Sequence, residues 1–200
     1  MDNLAHVDIF QVVVSIAIGL GLAAACGFRV FAPLFMISLL SHAGFLHLAG
    51  TFGWMATWPA MIAFGTATLL EIAAYYVPFI DNLLDTVATP AAILAGALAM
   101  MTQVGDQNPL LAYSVAAVAG AGAAGAVQGL TTITRQVSSL ATAGFGNPIV
   151  ATAEAGLSLL MSLAAVFVPL LALAALVILL YFAAKSLFFR TGDSSAPAAS

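Results

Sequence analysis

Apolar runs of about 20 residues, the length a helix needs to cross the hydrocarbon core of a bilayer, follow one another along this chain with short polar interruptions. The first covers Val7 to Cys26 and carries Gly19, Gly21 and Ala23 to Ala25, small residues that let a second backbone come close. Arg29 follows, then an apolar segment interrupted by Pro33, which spans if it continues to Leu48 and dips in and returns if it stops near His42. Trp54 and Trp58 mark the next stretch as a membrane-surface connection, since indoles suit the headgroup layer. A helix is predicted from Pro59, a favoured first helical residue, to Pro78. Asp81 to Thr89 is predicted as a turn with Asp81 and Asp85 at the membrane surface, leading into a helix that ends near Gln103. GDQNP (105–109) is a loop, and Leu110 to Gly129 is the helix richest in Gly and Ala. Asn147 and Pro148 then read as N-cap and first-turn proline. The apolar run that follows, to Phe189, divides into two spans near Pro169.

The pattern breaks once, inside Gly129 to Glu154. That stretch holds Arg135, five threonines, two serines, a Gly-Phe-Gly-Asn-Pro turn and Glu154. Gly27 to Phe45 resembles it in order, with one arginine and a closing Ala-Gly-Phe. Lipid does not tolerate such groups, so they face protein or a watery cavity. With the Gly/Ala echo of 19–25 in 120–126 and the recurring Val-Pro, this suggests repeat-like halves at 7–104 and 109–190 of one transmembrane domain, 1–190, followed by a disordered tail, 191–200.

Composition narrows the class. The chain is 63% hydrophobic and only 6% charged, against about 25% in soluble chains. The expected fold is an all-α polytopic membrane helix bundle of six to eight apolar segments. Four bases against eight acids give no basic surface for nucleic acid, so the bilayer is the expected partner. Cys26, the single cysteine, excludes an internal disulfide. The N-terminus lacks the cationic region of a signal peptide.

Candidate chemistry is sparse. Gly120-x-Gly-x-x-Gly125 matches a dinucleotide fingerprint but has no strand before it, so helix packing explains it. His42 and His47 have no acid or cysteine at ligand spacing. No metal, cofactor or catalytic set is expected, and the chain does not read as an enzyme. Hydroxyls of 131–142 are expected to bond back to helix carbonyls. The strong signal is ionisable: Glu71 lies about 10 Å along a helix before Pro78, and Glu154 about 9 Å after Pro148, each too deep for a short stem to reach water. Each must be neutral, paired with Arg29 or Arg135, or facing water. Those four and Asn147 are the expected ion or solute pathway residues; static ion pairs are the alternative.

Lys185 and Arg190 place the C-terminus in the cytoplasm. Two topologies fit, six spans with two short re-entrant segments or eight full spans, and both return the N-terminus to the same side. In the six-span case the halves are inverted, with Glu71 and Glu154 at similar depth. Gly125-x-x-x-Gly129 offers a face for a homo-oligomer.

The segments GLAAACGFRVFAPLF, EIAAYYVPFIDNLLDTVATPAAILAGAL and GFGNPIVATAEAGLSLLMSLAAVFVP resemble an uncharacterised bacterial multi-pass membrane family, domain of unknown function 4126. The resemblance runs from about Gly19 to Tyr181 and rests most specifically on Glu71, Pro78, Asp81, Asp85 and Gly146 to Pro148. It implies a bacterial inner-membrane protein and no activity. The expected function is a small channel or secondary transporter; the alternative is a non-transporting scaffold or complex subunit.

Overall fold

The computed structural model describes residues 9–77 and 80–191; side chains are not described at 80–83, 85, 183, 184 and 186–191. It is helical throughout: α1 (Ile9–Phe28), α2 (Phe31–His42), a 3₁₀ helix (Gly50–Ala56), α3 (Trp58–Ala74), α4 (Ile80–Val104), α5 (Pro109–Thr142), α6 (Asn147–Phe167) and α7 (Pro169–Thr191). Helices α1, α5 and α6 and the part of α4 from Thr86 are long and apolar enough to cross a membrane. The 3₁₀ helix with α3, bent by 68° at their junction, makes a fifth candidate. Helix α2 and the 169–182 part of α7 are shorter apolar helices. The six to eight expected segments thus become four or five full-length candidates and two shorter ones. Large apolar side chains such as Leu110, Val118, Leu140 and Ile149 point outward, as lipid-facing residues do.

Helix α1 is the axis. It packs against α4, α5, α6 and α7, and its buried residues from Ala17 to Gly27 are glycine and alanine apart from Leu22 and Cys26. A β-carbon added at Gly27 would stand 2.5 Å from the Ala124 carbonyl oxygen, and one at Gly21 2.6 Å from Ala165 Cβ. With no side chain between them, the backbones approach closely enough for dispersion to hold them.

One local feature selects between the sequence alternatives and two differ from the sequence reading. The second segment stops at His42, the short alternative, and Pro33 lies within its first turn, where the missing N–H is one that has no intrahelical partner anyway. Residues 81–89 belong to α4, which runs straight through Pro90. The surface turn expected there is therefore helical backbone, and the side chains of Asp81 and Asp85 lie outside the described residues.

Thr131 to Thr142 is not a separate short segment but the end of α5, a 34-residue helix with one π turn at Ala116–Gly120. Its hydroxyls explain why: Thr131 and Thr132 donate to the Gln128 carbonyl at 2.9 Å, Thr134 to Leu130 at 2.9 Å and Thr142 to Ser138 at 2.7 Å. Polar side chains satisfied by their own helix do not break it. The two Ala-Gly-Phe repeats are helix stops: Gly44 and Gly144 have φ of 81° and 88°, the left-handed conformation that ends a helix at least cost on glycine.

The chain reverses at each connection. Ala49, after α2, donates to the Thr102 carbonyl at 2.8 Å; the neighbouring Gln103 abuts Gly19, so α2 has returned to the level of α1's middle. Phe45 stacks edge-on against Phe167 at the end of α6, while Leu176 and Leu180 of α7 pack beside Ala23, Ala24 and Phe28. Helix α1 therefore begins at one end of the bundle and α7 finishes at the other. An even segment count puts both termini at one end; merging 131–142 into α5 removes one segment and changes the parity. Helices α3 and α6 run oppositely, as do α4 and α7, whereas α1 and α5 run the same way.

Candidate functional site

The helix reversals bring four distant charges to one place. Arg29 sits in the two-residue break between α1 and α2, Glu71 in the last turn of α3, Arg135 two turns before the end of α5, and Glu154 two turns into α6. All four are buried, Arg29 at 2% exposure and Glu154 at 4%.

Glu154 is the hub. Arg135 donates to it through Nε, at 3.0 Å to Oε1 and 3.1 Å to Oε2, and through Nη2 to Oε2. Arg29 Nη2 stands 3.4 Å from the same Oε2 and donates to the Ala151 carbonyl at 2.8 Å. Both guanidiniums also stack on Tyr75, with their carbons 3.8 Å (Arg29) and 4.0 Å (Arg135) from its ring centroid. The negative face of the ring offsets part of two adjacent positive charges.

Glu71 does something else. Its Oε1 accepts the Val30 N–H at 2.7 Å and its Oε2 the Phe31 N–H at 2.9 Å. Val30 has no side-chain acceptor to cap α2, so a carboxylate from α3 serves, at the helix end where the macrodipole favours a negative charge. This is what allows an N-terminus to begin inside the bundle.

Arg29 is incompletely matched. Its Nε and Nη1 are buried and have no hydrogen-bond partner. A guanidinium has five N–H donors, one on Nε and two on each terminal nitrogen, so three lie without an acceptor. Beside the cluster, Glu71 and Tyr75 line a cavity of about 350 Å³, otherwise walled by Val30, Phe31 and apolar residues of α3 and α4. Its rim includes Leu70 and Val87, both exposed on the outer surface.

Of the residues singled out from sequence, Arg29, Glu71, Arg135 and Glu154 converge. The Asn147 amide exchanges hydrogen bonds with Ser139 of α5 at 3.0 and 3.2 Å, tying the α5–α6 turn together. Tyr75 was missed, although it lies four residues after Glu71 and so on the same helical face. Ser158 was also missed; its hydroxyl donates to the Ala25 carbonyl at 3.0 Å and fixes α6 to α1 one turn from Arg29. His42 Nδ1 lies 2.8 Å from the Ala56 carbonyl and its ring meets Trp58 edge-on. Gly125 abuts Ile93 of α4, and Gly129 faces open space.

A family model described as a domain of unknown function, DUF4126, matches residues 16–188. No curated protein and no solved structure matches the chain.

Proposed function

The chain belongs to the DUF4126 family, and from that premise we propose that it is a small membrane channel or secondary transporter whose pathway passes the Arg29, Glu71, Arg135 and Glu154 cluster. The observation that carries this reading is the state of Arg29. A buried charged group kept only to hold helices together is expected to have its donors satisfied, because each unmet one carries a desolvation penalty of about 1–3 kcal/mol or more. Three buried N–H groups without acceptors fit a side chain that also serves a passing solute. Reversed helices meeting at a break in the backbone, here Arg29-Val30, are a common transporter plan.

Lys185 and Arg190 near the end of α7 favour the cytoplasm of a bacterial inner membrane on that side. The start of α1, preceded by aspartates and no base, then lies outside. The cluster then lies within one turn of the cytoplasmic end of α3 and about two turns from those of α5 and α6.

The test is flux into proteoliposomes across a panel of anions, cations and protons, for the wild type and for Arg29→Gln. Movement of at least one species that Arg29→Gln abolishes supports the reading; no movement of any species by folded wild type ends it. A scaffold role is the second reading, favoured by the bidentate Arg135–Glu154 pair, which is fully formed.

A further inference from the structure

Resting on that transport reading, we propose that the cluster binds one small monovalent inorganic anion at the unpartnered edge of Arg29.

The charges decide the class of ligand. Two guanidiniums and two carboxylates sum to zero when all are ionised. Glu71 has both oxygens engaged by the α2 amides at 2.7 and 2.9 Å. Glu154 alone therefore serves two arginines, Arg135 in full and Arg29 at the longer 3.4 Å. The surplus is on Arg29, whose unmet donors are N–H groups that only an acceptor can fill. Cations are excluded from that edge by its sign.

Nitrate is the probe. In detergent, nitrate exchanged for gluconate at constant ionic strength should raise the melting temperature of the wild type, and Arg29→Gln should lose that shift. In proteoliposomes the wild type should carry nitrate down an inward gradient. If Arg29→Gln fails to fold, the concentration dependence of the nitrate shift in the wild type decides: a saturating rise supports the site. No nitrate effect on melting, meaning that only water meets Arg29, overturns it. Flux of cations alone overturns this inference and leaves the transport reading standing; saturable nitrate binding without any flux does the reverse.

Discussion

Gly96 of α4 and Gly120 of α5 meet backbone to backbone: a β-carbon added to either would stand 2.8 Å from the carbonyl oxygen of the other. The contact is reciprocal and involves main-chain atoms on both sides, so neither helix can yield by turning a side chain. It falls at the end of the π turn of α5. Alanine in place of glycine gains up to about 1 kcal/mol of helix propensity, but overpacking costs typically about 1–3 kcal/mol, and a rigid neighbour puts this site at the high end. Gly96→Ala should therefore lower the melting temperature in detergent. Gly129→Ala, on α5 with nothing within 4 Å, should leave it unchanged or raise it.

Removing one member of the Arg135–Glu154 pair should cost about 3–5 kcal/mol, because the other remains buried without its counter-charge. Two apolar replacements recover a simple ion pair. Here they should recover it only in part, since Arg29 also leans on Glu154 at 3.4 Å. Chemical denaturation of Arg135→Met, of the double variant Arg135→Met with Glu154→Leu, and of the triple variant adding Arg29→Met should rank the triple as more stable than the double. A double variant as stable as the triple would show that Arg29 does not depend on Glu154.

Glu71→Ala should strip the cap from α2 and leave two inward-facing amides without acceptors, at about 1–3 kcal/mol each. Glu71→Gln keeps one acceptor oxygen and should lose less. Hydrogen exchange at Val30 and Phe31 reports this directly: fast in the alanine variant, slower in the glutamine variant, slowest in the wild type. Equal exchange in all three would mean that the first turn of α2 holds itself.

Reporter fusions before α1 and after α7 should report opposite sides of the membrane, with the C-terminal fusion cytoplasmic. Fusions reporting the same side would contradict the order of reversals from α1 to α7.

The four central charges were legible in the sequence because lipid gives a buried Arg or Glu few alternatives, and a chain with 6% charged residues makes each one conspicuous. What each carboxylate does was not legible. Glu71 and Glu154 look alike by position, yet one meets amides and the other guanidiniums; that depends on α2 starting beside α3, a tertiary fact with no local signal. The continuity of α5 was hidden for the opposite reason. Threonines and serines at 131–142 look like a break, and only their hydrogen bonds to Gln128, Leu130 and Ser138 reveal a satisfied helix. Tyr75 could have been found from its spacing to Glu71, had aromatic residues been considered as partners for the arginines.

The uninterrupted length of α5 has a consequence for the surrounding lipid. At 1.5 Å per residue its 34 residues measure about 51 Å, against a hydrocarbon core of about 30 Å. Tilt alone would have to exceed 50°, beyond the roughly 40° limit of observed spans, so the helix both leans and projects past the core. A membrane whose thickness changes would shift that balance of lean and projection and carry Arg135 with it. The protein should therefore respond to acyl-chain length: reconstituted in short-chain and then long-chain lipids, the melting temperature should pass through a maximum rather than hold constant.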